Sequence, residues 1–171
     1  MALVIVTTAG SASANSYASV AEAETYHLTK LYNTLWDDAE VETKTAALVW
    51  ATRVLDEQVE WAGNIMTNTQ ALRWPRGMVL DRDQRRYLDQ LTIPSFLKNA
   101  TAEFARHLLT KDRFQVIDDS SGGITSVQAG SVNVTFDSTG EIEVLPPSIF
   151  SLIAPYILGS ASGIEVGLMR V

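Results

Sequence analysis

Residues 70–77 read QALRWPRG, and no regular helix can run through them. Pro75 has no backbone donor, and it pushes Trp74 before it out of the α region. Gly77 then opens backbone conformations that a Cβ would close. The stretch therefore predicts a rigid, exposed turn, with Trp74 as anchor and Arg73 and Arg76 presented on either side. Tryptophan and arginine are the residue types most over-represented where one protein grips another. Equally consistent with the residues alone is a Trp74 that plugs the core while both arginines are solvated.

The rest of the chain suits one folded unit around that turn. With 171 residues, 46% hydrophobic and 19% charged, it can bury a real core as a single domain, with room for an appendage. It contains no cysteine, which removes disulfides, thiolate nucleophiles and Cys-based zinc sites. His27 and His107 are the only imidazoles and lie in unrelated local patterns, so a His-based metal site has little support. Residues 2–6 are apolar and Ala12-Ser13-Ala14 imitates a cleavage site, but no basic residue precedes them. The expectation is a chain that is not secreted. No apolar run reaches the length of a bilayer span, so the expectation is a soluble protein without membrane contact.

Charge is distributed unevenly along the chain. The net value is −7, but residues 1–60 hold nine acids and three bases, 61–116 five acids and nine bases, and 117–171 six acids and one base. A positive middle between negative ends is compatible with charge-complementary contacts between copies of the protein. It does not resemble the dominant basic face of a nucleic-acid binder.

Along the chain, residues 1–18 read as an extended N-terminal arm, 19–117 as a helical domain, and 118–171 as a β-hairpin, a short helix and a C-terminal arm. Ser19 and Glu22 form a capping-box pattern, which predicts a helix over about 20–31 with Val20, Ala23, His27 and Leu31 on one face. His27 there reads as a buried, hydrogen-bonded histidine. Asp37 to Glu40 offers a second capping pattern before a longer helix to about Val59, with Leu48, Ala51, Leu55 and Val59 as its apolar stripe. Trp61 and Gly63 close it. Arg73, Arg76, Arg82, Arg85 and Arg86 crowd into fourteen positions interrupted by Asp81 and Asp83, with a short helical turn expected near 83–91. Pro94 starts the clearest helix, to about Thr110, with Leu97, Ala100 or Thr101, Phe104 and Leu108 facing inward. Beyond Gly122-Gly123, residues 124–129 and 132–136 alternate as a hairpin, and 141–145 suit a third strand. Ser148–Leu158 is a short apolar helix that Pro155 breaks or kinks. The predicted fold is mainly α: a small bundle of three main helices with a C-terminal hairpin or three short strands, a short helix and extended terminal arms.

No phosphate-binding glycine loop, nucleophile elbow, HExxH or dinucleotide fingerprint occurs, so no residue is assigned a catalytic, cofactor-binding or metal role, and an enzyme is not expected. The residues that stand out as interface candidates are Arg73, Trp74, Arg76, Arg82, Arg85 and Arg86, together with Ile124, Val127, Val132, Val134 and Phe136 of the hairpin. A lone hairpin is too small to persist in water, and its open edge invites a strand from another chain.

The series ANSYASVAEAETY (14–26), AALVWATRVLD (46–56), QALRWPRG (70–77), IPSFLKNATAEFARHLL (93–109), ITSVQAGSVNVTFD (124–137) and LPPSIFSLIAPYI (145–157) resembles a phage family known as DnaT-like single-stranded-DNA-binding proteins. In tailed phages such proteins look like head-to-tail connector, or adaptor, subunits. The stretch 81–92 is longer and richer in arginine than that pattern. The resemblance implies a virion protein at the head-to-tail interface, assembled in the host cytoplasm as a closed ring of about twelve copies. Its partners would be the portal protein and a tail, second adaptor or stopper protein, with transient nonspecific contact to double-stranded DNA in the channel, and no cofactor. The alternative is a true single-stranded-DNA-binding module, for which only Trp74 and the five arginines could combine stacking and charge.

Overall fold

The computed structural model describes residues 3–110, the backbone of 126–129 and 132–135, and residues 145–158. The fold is mainly helical, as the sequence predicts: α1 (Val20–His27), α2 (Thr34–Asp37), α3 (Val41–Gln58), α4 (Ser95–Leu108) and α5 (Pro147–Ile153). Two short antiparallel pairs join them, β1 (Asn64–Ile65) with β2 (Arg76–Gly77), and β3 (Ser126–Ala129) with β4 (Val132–Thr135).

The central element is α4. Pro94 is its N-cap rather than its first residue, and Leu97, Ala100, Thr101 and Phe104 are fully buried. It packs on α3 through the predicted stripe Leu48, Ala51, Leu55 and Val59, on α1, and on α5. The last of these runs antiparallel to α4. Ser148 Oγ lies 3.4 Å from His107 Nε2 at one end, and the Tyr156 ring stacks on Phe96 at 3.7 Å at the other. Pro155 ends α5 as expected, and the chain leaves through a single 3-10 turn, Ala154–Tyr156.

Three boundaries differ from the sequence reading. The first helix stops at His27, four residues early, because the Thr29 hydroxyl bonds the Tyr26 carbonyl at 2.8 Å and Lys30 N–H bonds His27 O in a tighter turn. Tyr32 then takes φ 60, and Leu31 is exposed rather than on the core face. The carboxylates at 37 and 38 do not cap α3, whose N-cap Glu40 makes no side-chain bond; Asp37 belongs to α2 and accepts a bond from Asn33 Nδ2 at 2.9 Å. Residues 83–91 form no helix. Gln84 at φ 56 reverses the chain, Asp81 Oδ1 accepts the Arg85 N–H at 2.8 Å, and Leu80 bridges Tyr87.

The N-terminal segment is folded back on itself. Asn15 accepts the Val6 N–H and donates to Val4 O, both at 2.8 Å, and Tyr17 and Ala18 enter the core. The second pair forms where the alternation predicts a hairpin, with Val127 opposite Val134 and Ala129 opposite Val132. Ile124, Phe136 and most of the expected third strand lie outside the described residues.

His27 joins α1 to α4 as expected of a core histidine. Its Nε2 is 3.1 Å from Ala102 O, so Nε2 carries the proton, and Nδ1 is a buried lone pair with no partner among the described residues. Burial pushes its pKa below the ordinary imidazole value, against the pull of the Ala102 carbonyl and Glu103 and with the push of Arg106 and Lys30. Since the unfolded chain then takes the proton first, this stability is present above the ordinary imidazole pKa and is lost as pH falls below it. The thermal midpoint should therefore fall between about pH 7 and pH 5, and His27→Gln should flatten that slope. Glu22 and Glu103 lie below their ordinary values and Asp56 above, but both proteins share them. An identical slope in the variant would contradict the assignment.

Candidate functional site

The turn at 70–77 is a knot that is buried from Trp74 to Gly77. After α3 the chain runs through Trp61, Ala62 and Gly63, and the Arg76 side chain closes on their backbone. Its Nε donates to Ala62 O at 2.7 Å, its Nη2 to Trp61 O at 3.1 Å and Gly63 O at 2.6 Å, and its Nη1 to Arg73 O at 3.3 Å. A planar fork of donors suits several carbonyls at once, which an ammonium could not match. Gly63 sits at φ +72, and a Cβ there would meet Gly77 O at 2.2 Å. Gly77 itself has no such backbone need; a Cβ on it would crowd Met66 Sδ at 3.0 Å.

Trp74 is 1% exposed and follows the core reading. Its ring meets Trp61 edge-on at 5.7 Å and Phe96 at 5.6 Å, so the turn is fastened to α4. The Trp74–Pro75 peptide is cis. On the other side, the Tyr17 hydroxyl donates to Asp56 Oδ1 and accepts the Trp74 N–H at 3.3 Å, while Asp56 Oδ2 accepts the Arg73 N–H at 3.0 Å. Burial raises the Asp56 carboxyl above its ordinary value against those bonds. Of the two arginines expected to be presented, only Arg73 is exposed; Arg76 is buried because its acceptors are the chain's own carbonyls.

The structure brings the other three arginines together elsewhere. The hairpin-like turn from Val79 to Leu88, held by Asp81 N–H to Arg86 O at 2.7 Å and Leu88 N–H to Val79 O at 2.8 Å, exposes Arg82, Arg85 and Arg86 with Tyr87 beside them. None of the ion pairs among the described residues involves these arginines. The turn borders a cleft of about 330 Å³ lined by Met78, Leu80, Gln84, Pro155 and Leu158. Val127, Val132 and Val134 lie in the separate pair β3–β4, which has no third strand among the described residues.

A second surface escaped the sequence reading. Leu28, Leu31 and Tyr32 are 85%, 83% and 93% exposed, and Leu35 and Val41 are also open. Lys30, Asp37, Asp38 and Glu40, all exposed, lie in the same stretch. Exposed apolar side chains scattered singly are ordinary, and here five fall within fourteen residues. The only available signal was Thr29, which stops α1 and so turns Leu31 outward.

Among the described residues no cluster of His, Asp or Glu could hold a metal ion. Glu103 is buried and bonds Lys30 at 3.1 Å and Arg106 at 3.0 Å; burial alone would raise its pKa, and those two bonds hold it below the ordinary carboxylate value.

Three substitutions separate the knot from the surface. Trp74→Ala should cost about 4 kcal/mol of stability, and Gly63→Ala about 3 kcal/mol, from strain and the clash with the Gly77 carbonyl. Arg73→Ala should cost less than about 0.5 kcal/mol. Chemical denaturation measures all three, and a Gly63→Ala protein as stable as wild type would overturn the knot.

The family described as "Putative DnaT-like ssDNA binding protein" matches residues 1–171, the whole chain. No curated protein and no solved structure matches it. On the match over its full length, the chain belongs to the DnaT-like ssDNA-binding protein family.

Proposed function

We propose that this chain is a structural subunit of a tailed-phage virion, a head-to-tail connector that forms a ring between portal and tail and lines the DNA exit channel. The observation that carries the reading is the internal commitment of Trp74 and Arg76. The stretch 70–77, whose composition suits base stacking and phosphate contact, spends its tryptophan on Trp61 and Phe96 and its buried guanidinium on backbone carbonyls. The net charge of −7 opposes tight nonspecific binding to nucleic acid, whose affinity comes mostly from phosphate contacts. An acidic or neutral wall lets duplex DNA slide. The same reading draws on the resemblance of six segments to the DnaT-like family, whose tailed-phage members look like connector subunits, and the pair β3–β4 offers an edge that a neighbouring copy, the portal or a tail protein would extend. The role is structural rather than enzymatic.

A second reading follows from the family description: a single-stranded-DNA-binding module. The exposed turn with Arg82, Arg85, Arg86 and Tyr87 favours it, because cationic side chains beside an aromatic are the minimum for strand tracking and stacking. Native mass spectrometry and an oligonucleotide titration distinguish the two. The connector reading expects multiples of the subunit mass and binding weaker than about micromolar at roughly 150 mM salt. A monomer with sub-micromolar affinity, steeply salt-dependent and abolished by alanine at the three arginines, would establish the second reading instead.

A further inference from the structure

The cleft of about 330 Å³ beside the arginine turn takes its apolar lining from two segments, Met78 and Leu80 from one and Pro155 and Leu158 from the other. All four residues are exposed. The first segment also has an open edge. Val79 O accepts the Leu88 N–H and the Asp81 N–H donates to Arg86 O, so both bonds of this antiparallel bridge run toward residues 86–88. The N–H and C=O of Leu80 point the other way, because the peptide groups of a strand alternate in direction. No hydrogen bond among the described residues uses them. Residues 86–88 do not line the cleft, which therefore lies on the open side of Leu80. Met78 at φ 62 and Gln84 at φ 56 bracket this short strand, in a backbone region uncommon for residues with a side chain. Across the cleft, the Leu158 N–H bonds Glu60 O at 2.7 Å, so the second segment is fixed where it reaches the margin.

The structure describes this second segment up to Leu158, and thirteen residues of the sequence follow. Gly159-Ser160-Ala161-Ser162-Gly163 has the composition of a turn, and five residues suffice to reverse a chain. Residues 164–168, IEVGL, then alternate. Extended, they place Ile164, Val166 and Leu168 on one side and Glu165 and Gly167 on the other. A segment tethered at the margin of the cleft meets it at an effective concentration of roughly millimolar, which no separate copy reaches in dilute solution. That connectivity selects the occupant. We infer that residues 164–168 dock in the cleft of their own chain as an added strand. Their main chain bonds the Leu80 N–H and C=O, and Ile164, Val166 and Leu168 lie against Met78, Leu80, Pro155 and Leu158. Strand addition supplies main-chain bonds to an open edge and seats alternate side chains in the groove beside it. A covered edge also offers no template for pairing between copies. The inference concerns a single chain and stands independently of the connector reading.

Hydrogen exchange on the full chain reads the added bond at a single amide. The Leu80 N–H should be protected, and Val166→Asp should speed its exchange by at least about tenfold, with the internally bonded amides of Asp81 and Leu88 as reference. A Leu80 amide that exchanges like an open peptide, or that stays equally protected in the variant, would overturn the inference. Cysteine pairs test the same contact without an acidic substitution, in a chain that has no cysteine of its own. Met78→Cys with Val166→Cys is oxidised at low protein concentration beside Glu60→Cys with Val166→Cys. Glu60 is exposed and its carbonyl is bonded to Leu158, so it lies equally within reach of the tether. The first pair should close within one chain at least about tenfold faster than the second. Equal rates would mean an undirected tether and would overturn the inference. Disulfides that form instead between separately prepared Met78→Cys and Val166→Cys proteins would assign the cleft to a segment of another copy, which also overturns it.

Discussion

The constraint on which the structure depends is the grip of one guanidinium on four carbonyls. After α3 the chain must leave the helix, turn beneath the core and return along β2, and the carbonyls of Trp61, Ala62 and Gly63 are drawn inward in doing so. Buried acceptors without donors are costly. Arg76 satisfies all three and adds Arg73 O, so its side chain bonds one backbone segment to another in place of a wider sheet. The two-residue ladder β1–β2 is too short to hold this turn unaided. Trp74 then transmits the knot to α4 through Phe96, and Tyr17 and Asp56 fasten it to the N-terminal segment and α3.

That arrangement turns the most interactive-looking motif inward. Helices α1, α3 and α4 present mainly small or aliphatic residues to one another. By contrast, the connections at 28–41 and 78–91 carry the large exposed side chains Leu28, Leu31, Tyr32, Met78, Tyr87 and Leu91. Loops held by a rigid scaffold are the usual place for binding residues. Both connections are pinned here, the first by Thr29 and Lys30 on α1 and α4, the second by the Leu80–Tyr87 bridge.

Much of this was legible in the chain. The apolar stripes of α3 and α4 lie where the period placed them, and the capping box at Ser19 is formed with both of its bonds. The break at Pro155 and the pairing of β3 with β4 also follow from local chemistry. What was not legible required partners distant in sequence. Three of the four acceptors of Arg76 lie thirteen to fifteen residues away, and no local pattern distinguishes an arginine that binds carbonyls from one that is solvated. Likewise, Gly63 needs no side chain because a carbonyl from Gly77 passes over it. Leu31 matched the helical period, yet a single threonine hydroxyl ended the helix and turned the leucine outward.

Hydrogen exchange followed as a function of protein concentration reaches the central claim most directly, because it shows whether the order of the knot is internal to one chain. The amides of 61–63 and 73–77 should be protected to the same degree in dilute and concentrated samples, since their order is internal. Protection of 61–63 and 73–77 that rises with concentration, or that appears only when an oligonucleotide is added, would contradict the account.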